Sequence, residues 1–130
     1  MEKALKKLTL EFFGKGKHKI TPEELFTMKG AVLLDVRTAE EVDTVSFGLK
    51  HHRNIEVLNI PLHQLPDRLR EIPEGKPIAL FCSTVVRSAI AYAYLLEQGF
   101  SEARIFEGGY ATAVEALKPK MVLKVLQGQE

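Results

Sequence analysis

The sequence contains one cysteine, no tryptophan and almost no net charge, and each shortage excludes something. A single cysteine cannot form a disulfide within the chain, and this composition is typical of proteins from a reducing compartment. A net charge of +1 across 130 residues gives no electrostatic reason to expect nucleic acid or a membrane surface as a partner. We therefore expect a cytoplasmic protein that binds neither.

Long hydrophobic runs are also missing. No apolar stretch approaches the roughly 20 residues that a membrane-spanning helix needs. Lys6, Lys7 and Glu11 interrupt the apolar residues near the N-terminus, so we do not expect a signal peptide. With 45% hydrophobic and 27% charged residues, the chain fits one globular domain that can bury a core without disulfides.

Apolar runs and helical patterns alternate along the chain. Thr21-Pro22-Glu23-Glu24 supplies the cap, first-turn proline and glutamate of a helix start, and Gly30 ends that helix. The clearest strands are expected at residues 31–36, 55–60, 78–81 and 103–106, and later helices near 38–42, 65–72, 87–98 and 110–117. This alternation predicts an α/β domain with a mainly parallel central sheet of about five strands and helices on both faces.

The two ends of the chain are less readable. Residues 1–17 are expected to form a helical extension followed by a basic linker. One side of that helix is apolar: Ala4, Leu5, Leu8 and Phe12. The extension could pack on the domain, mediate dimerisation or extend freely. Residues 119–130 form a tail, in which a helix over 121–126 is expected.

The only cysteine follows directly on one of the predicted strands. The apolar run over 78–81 ends at Cys82, and Arg87 lies five positions later, near the start of the next helix. Ligands bind α/β sheets beyond the carboxyl ends of the strands, and free N–H groups at a helix start favour anions. Arg87 adds a permanent positive charge, which favours the nucleophilic thiolate form of cysteine. The alternative is that Cys82 is a small buried hydrophobic side chain.

Residues 82–88, Cys-Ser-Thr-Val-Val-Arg-Ser, resemble the active-site loop of single-domain rhodaneses, whose pattern is Cys-x-x-Gly-x-Arg-Ser. Three other segments are similar to family motifs and occur in the family's order: Leu-Leu-Asp-Val-Arg-Thr at 33–38, Asn-Ile-Pro-Leu at 59–62 and Glu-Gly-Gly-Tyr at 107–110. The resemblance covers roughly residues 18–118 and implies one rhodanese-like domain there.

The resemblance implies a sulfurtransferase. Cys82 would take sulfane sulfur from thiosulfate or another persulfide donor and pass it, through a persulfide, to a thiophilic acceptor. Arg87 would be the second catalytic residue. The other loop residues would bind the substrate: Ser83, Thr84, Val85, Val86 and Ser88. Four further residues would have supporting roles: Asp35, Arg37, Gly108 and Gly109, the last two letting the backbone approach the pocket.

The resemblance implies no cofactor and no metal, and the expected partner is a small anionic sulfur donor or a persulfide protein. Arsenate reductases and cell-cycle dual-specificity phosphatases use Cys-x5-Arg. The shorter Cys-x4-Arg loop here suits a single sulfur better than a tetrahedral oxyanion. Arg87 could instead form a structural ion pair, for example with Asp35, and Ser88 could simply cap the helix.

Val85 stands where the family loop has glycine. If that position needs a positive φ, a β-branched residue costs roughly 1–2 kcal/mol there. Val85 and Val86 also make the pocket mouth apolar, which favours a protein-bound or hydrophobic donor. The alternative function is therefore a rhodanese-like sulfur carrier or protein-interaction module with little small-molecule turnover.

Residues 43–54 lack the Gly-His-Ile-Pro-Gly-Ala segment that usually precedes Asn-Ile-Pro in the family. They contain a basic cluster at residues 50–53 instead. This cluster could be a solvated loop or a positive rim that attracts an anionic sulfur donor. Adjacent His51 and His52 have no nearby Cys, His or Asp to complete a metal site.

Overall fold

A five-stranded, fully parallel sheet forms the centre of the structure, a computed structural model that describes residues 1–129. Its strands are β1 (Lys19–Ile20), β2 (Ala31–Asp35), β3 (Ile55–Asn59), β4 (Ile78–Phe81) and β5 (Ala103–Phe106). They lie in the order β1-β5-β4-β2-β3, so the strand that leads to Cys82 occupies the middle. The predicted α/β fold with a parallel sheet is confirmed. The sequence patterns did not reveal β1, because two residues are too few to show a periodicity.

Helices connect the strands and cover both faces of the sheet. They are α1 (Glu2–Lys6), α2 (Leu10–Gly14), α3 (Pro22–Thr27), α4 (Ala39–Thr44), α5 (Val86–Glu97), α6 (Gly109–Ala116) and α7 (Pro119–Gln127). The helix expected in the tail is α7, and Glu130 lies outside the described residues. No helix within residues 1–129 combines the length and the apolar character needed to cross a membrane.

The helix expected near Leu65 is a pair of short 3-10 helices, Leu62–Asp67 and Leu69–Glu71. Pro66 lies inside the first of them and has no N–H to donate, which opposes a regular α-helix there. Leu65 and Ile72 are nevertheless buried, so the segment still covers the core as its apolar spacing predicts.

Alternate side chains of the middle strand enter two separate hydrophobic cores, because successive strand residues point to opposite faces of a sheet. Ile78 and Leu80 belong to a core that includes residues of α1 and α5. Ala79 and Phe81 belong to a second core with residues of α3, α6 and α7. Cys82 continues the alternation and lies in the first core, so the site is built on the most buried strand of the fold.

Helix α5 is less buried than its sequence suggests. The nearly continuous apolar run predicts burial all round, but only one face of the helix packs on the sheet. That face contains Ser88, Ala91, Tyr92, Leu95 and Leu96. Val86 and Ile90, on the outer face, are 65% and 52% exposed because no other element within residues 1–129 covers that side.

The N-terminal segment packs on the domain as two short helices rather than one. Helix α1 ends at Lys6, and Thr9 caps the following α2 by accepting a hydrogen bond from the Phe12 N–H. Ala4 is fully buried, and its N–H donates to Glu97 of α5 over 3.0 Å. Leu8 and Phe12 pack against the first core. Leu5 is 59% exposed, so its predicted place on the packed side is wrong, because it lies about 100° around α1 from the buried Ala4.

The segment between α4 and β3 also differs from expectation. Phe47 packs edge-on against Phe81, with ring centroids 5.6 Å apart. His52 is buried edge-on against Phe26, and this burial, with a smaller contribution from His51, lowers the pKa of His52. The basic cluster at 50–53 precedes β3 and therefore lies at the amino-terminal edge of the sheet, opposite Cys82. The reading as a rim of the Cys82 pocket is therefore wrong. Lys50, His51 and Arg53 are exposed, as the solvated-loop reading expects, and only the buried His52 departs from it.

Candidate active site

Cys82 lies immediately beyond the carboxyl end of β4, where the chain turns into α5. Cys82 is only 1% exposed. The Ser88 N–H donates to the sulfur over 3.4 Å, and the Ser88 hydroxyl oxygen lies 3.5 Å from it. The start of α5 therefore contributes a backbone donor to the sulfur, as its predicted position at a helix N-terminus requires.

A backbone carbonyl also faces the sulfur. The Thr84 oxygen lies 3.1 Å from Sγ and accepts a hydrogen bond from the thiol. A carbonyl oxygen can accept a hydrogen bond from S–H, but it repels a negatively charged sulfur. The loop therefore presents an acceptor rather than a donor on this side of the sulfur.

Ser88 is fully buried and serves the loop from inside α5. Its hydroxyl donates to the Val85 carbonyl over 3.1 Å, and the Ala89 N–H donates to the same oxygen over 2.9 Å. These bonds fix the last peptide of the loop. Ser88 thus combines a structural contact at the start of the helix with its N–H contact to the sulfur of Cys82.

Arg87 is held over the loop by a carboxylate from a different helix. Its guanidinium makes a bidentate pair with Glu41 of α4, at 2.6 and 2.8 Å, and donates to the Ser83 hydroxyl over 3.1 Å. The hydrogen bond from Arg87 lowers the pKa of Glu41 to about 2, against the opposing effect of burial. The sequence suggested Asp35 as a structural partner for Arg87, but the partner is Glu41.

Asp35 and Arg37 form a separate, buried pair at the end of β2. The Arg37 Nη2 lies 2.6 Å from an Asp35 oxygen, and its Nη1 donates to the Val45 carbonyl and the Tyr110 hydroxyl over 2.6 and 2.8 Å. The guanidinium also stacks near the ring of Phe81, 5.2 Å from its centroid. Arg37 therefore ties the ends of three chain segments together and leaves no free guanidinium for a ligand.

The turn before α6 supports the loop from a second side. Gly108 and Gly109 both have positive φ, at +81° and +58°. A Cβ on Gly109 would collide with the backbone oxygen of Ser83, and the Tyr110 N–H donates to that oxygen over 3.1 Å. A Cβ on Gly108 would instead meet the Thr112 side chain. The close backbone approach is thus made by Gly109.

Val85 adopts φ −128° and ψ −1°, outside the left-handed region. The strain that a valine would suffer at a positive φ is therefore absent from this loop conformation. Val85 is 41% exposed, and with Val86 and Ile90 it gives the outer side of the loop an apolar surface. Thr84 is exposed and Ser83 half-buried; of the predicted loop residues, Thr84 and Ser88 contact the sulfur of Cys82.

Three residues near the loop were not among the predicted site residues. Glu41 anchors Arg87, and Tyr110 bonds both Arg37 and the Ser83 carbonyl. Asn59, at the end of β3, donates from Nδ2 to the carbonyls of Asp35 and Arg37 over 2.9 and 3.0 Å. Asn59 and Tyr110 lie within family-like segments, and Glu41 lies close to one. Their position in the motifs was the sequence feature that could have identified them.

Comparisons with known proteins agree with this geometry. The sequence model of the Rhodanese-like domain family matches residues 21–116, about three quarters of the chain. The chain is 35% identical over 78 residues to the tRNA sulfurtransferase of Mannheimia succiniciproducens, covering 60% of this chain and 15% of that protein. It is 29% identical over 87 residues to a sulfurtransferase of Allochromatium vinosum, covering 67% of this chain and 75% of that protein.

A solved structure gives the same answer for the fold. The rhodanese-related protein from Thermoplasma volcanium matches with a TM-score of 0.65 and 26% identity, over 78% of this chain and 95% of that one. The chain spans only 15% of the length of the tRNA sulfurtransferase but most of the single-domain proteins. The resemblance seen in the motifs is confirmed, and sulfur transfer is the general chemistry that these relatives support. Residues 1–129 contain no group of three or more Cys, His, Asp or Glu side chains that could hold a metal ion.

Proposed function

The chain belongs to the Rhodanese-like domain family, and we propose that it transfers sulfane sulfur through a persulfide on Cys82. The observation that carries this proposal is the setting of Cys82 at the carboxyl end of the middle strand. There the Ser88 N–H contacts the sulfur, and Arg87 is clamped over the loop. A nucleophilic sulfur needs donors and positive charge close by; the Ser88 N–H is one such donor, and Arg87 brings the charge.

The reaction would proceed in two displacements. The Cys82 thiolate attacks the outer sulfur of thiosulfate, a sulfur–sulfur bond forms, and sulfite leaves with the electron pair of the bond that breaks. The three negative charges of the reactants become one on the persulfide and two on sulfite. An acceptor thiolate then attacks the outer sulfur of the Cys82 persulfide. The thiolate of Cys82 leaves, and the acceptor becomes the persulfide.

Arg87 has two parts to play in this scheme. Its charge lies beside the loop and favours the approach of an anionic donor. Its bond to Ser83 and its pair with Glu41 hold the loop against α4. Asp35 and Arg37 act as framework, because their charges are satisfied by each other and by buried partners.

A protein-bound sulfur donor or acceptor is the second candidate, and one observation favours it. Val85, Val86 and Ile90 form an exposed apolar border on the outer side of the loop, at 41%, 65% and 52% exposure. A small anion such as thiosulfate gains nothing from such a border, whereas a protein that delivers or collects sulfur could cover it. The chain would then act mainly as a sulfur carrier between proteins.

The proposal is tested by weighing the intact protein after incubation with a sulfur donor in the absence of reductant. Thiosulfate and glutathione persulfide serve as the two donors, and Cys82→Ser is the matched control. We expect the wild type to gain the mass of one sulfur atom, cyanide to remove it, and the variant to gain nothing.

The two donors separate the candidates. Loading from thiosulfate supports the small-molecule reaction, and loading from the persulfide alone supports the carrier reading. If neither donor adds sulfur to a Cys82 that iodoacetamide still alkylates, the persulfide mechanism is overturned.

A further inference from the structure

We propose that Val85 holds the loop in a closed, thiol-binding state, and that sulfur binding requires the Thr84–Val85 peptide to turn over. This inference rests on the proposed function, because it concerns how Cys82 becomes able to hold a persulfide. Its starting point is the Thr84 carbonyl, whose oxygen lies 3.1 Å from the sulfur and accepts a hydrogen bond from the thiol.

The closed state and a charged sulfur are incompatible. Once Cys82 loses its proton or gains a second sulfur, the sulfur is negative and the Thr84 oxygen faces it with lone pairs. An unmade hydrogen bond next to a buried charge is costly, and this cysteine is only 1% exposed. The reacting state therefore needs a donor where the carbonyl now stands.

The Thr84–Val85 peptide is placed to supply that donor, because the carbonyls on either side of it are fixed. The Ser83 carbonyl is held by the Tyr110 N–H over 3.1 Å. The Val85 carbonyl is held by the Ala89 N–H and the Ser88 hydroxyl over 2.9 and 3.1 Å. The Thr84 carbonyl lies between these two fixed carbonyls. Within residues 1–129, its hydrogen bond is to the Cys82 thiol. A rotation of this single peptide plane would turn its N–H toward the sulfur and leave both neighbours in place.

Val85 makes that rotation unfavourable. Turning a peptide plane over changes the φ of the following residue by about 180°, which would take Val85 from −128° to roughly +52°. With ψ near −1°, that conformation lies close to the left-handed region, which disfavours branched side chains and suits glycine or asparagine. Valine at this position therefore populates the closed state and opposes the open one.

Cys82 is therefore protected from reaction until a binding partner stabilises the open conformation of the loop. In the closed state the thiol is buried and hydrogen-bonded, so a small reagent reacts with the sulfur only while the loop is open. A donor that contacts the exposed side chains of Val85 and Val86 can select the open state by differential binding. Val85 is thus a positioning residue that sets how readily Cys82 reacts.

The test compares three substitutions of Val85. Glycine and asparagine tolerate a left-handed conformation, whereas alanine shortens the side chain but keeps its Cβ. We measure the rate of Cys82 alkylation by iodoacetamide as a function of pH, and the rate of sulfur loading from glutathione persulfide. Val85→Gly and Val85→Asn should both react about 5- to 30-fold faster than wild type at neutral pH. Their pH profiles should also move to lower pH, and Val85→Ala should stay much closer to wild type.

Two results would overturn the inference. Equal rates for Val85→Ala and Val85→Gly would mean that the bulk of the side chain, not the backbone conformation, limits access. Unchanged rates in all three variants would mean that the loop does not limit the reaction. Alkylation needs no sulfur donor, so it tests Val85 even if no variant forms a persulfide, and that last outcome would overturn only the proposed function.

Discussion

Two arginine–carboxylate pairs flank the Cys82 loop, and they differ in almost every physical respect. Arg37 and Asp35 belong to one chain turn at the end of β2, with side chains 0% and 9% exposed. Arg87 and Glu41 join α5 to α4, with side chains 30% and 33% exposed. The first pair is enclosed by protein, and the second is in contact with water.

The difference in burial makes one side of the site rigid and allows the other side to move. A buried pair must stay paired, because water cannot solvate a charge that loses its partner. A pair at the surface can separate at little cost, since water and salt replace the lost interaction. The loop therefore lies between a fixed wall, made by Arg37 and Tyr110, and a clamp that can open, made by Arg87 and Glu41.

The largest effect is expected from Arg37→Met. This change leaves the buried carboxylate of Asp35 without its cation, which should lower the free energy of unfolding by about 3–5 kcal/mol. The matched control is Arg87→Met, for which a loss below about 1 kcal/mol is expected. Urea unfolding at neutral pH measures both. Equal losses would show that the two pairs do not differ as their burial suggests.

The wall and the clamp were unequally visible in the sequence. Cys82, Arg87 and the loop between them could be located because a strand, a loop and a helix follow one another within 20 residues. Arg37 could be predicted as a supporting residue, but its bond to Tyr110 could not, since Tyr110 lies 73 positions away and nothing local couples the two. Glu41 accepts a hydrogen bond from the Thr38 N–H at the start of α4, a local pattern, but its bond to Arg87, 46 positions away, was missed for the same reason.

The errors in the fold have a related origin. Apolar periodicity reports which residues can be buried, but it does not report whether another element is present to bury them. Ile90 has the same hydrophobic character as its neighbours on α5 and yet lies on a face that none of the described elements covers. His52 shows the converse, because a polar residue in a basic run is buried against Phe26.

A middle-sized effect is expected where the turn before α6 touches the loop. Gly109 and Gly75 both have positive φ, at +58° and +77°, so an alanine at either site meets a similar backbone penalty of about 1–2 kcal/mol. At Gly75 the new Cβ would have open space, but at Gly109 it would collide with the Ser83 carbonyl. Gly109→Ala should therefore lose about 1–3 kcal/mol more than Gly75→Ala.

Unfolding in urea compares these two alanine variants for stability, and intact mass compares their sulfur loading. Because the Ser83 carbonyl belongs to the Cys82 loop, only Gly109→Ala should also load sulfur more slowly. Normal loading in a destabilised Gly109→Ala variant would contradict the idea that this turn positions the loop.

The smallest effect is expected from titrating the clamp. The pKa of Glu41 is about 2 in the folded protein and 4.5 ordinarily, so its ionised form stabilises the fold fully above pH 4.5. That contribution is lost as the pH falls from about 4.5 toward 2, because the unfolded chain then binds a proton more readily. Glu41→Gln should remove this part of the acid dependence, by a small amount that shrinks further in high salt.

Urea unfolding between pH 7 and pH 3, at low and high salt, measures the dependence, with Glu40→Gln as the neighbouring control. If Glu41→Gln loses stability in acid as steeply as wild type at low salt, then Arg87 does not hold Glu41 in solution. The clamp would then already be open, and the contrast between the two arginine pairs would be larger than their exposures indicate.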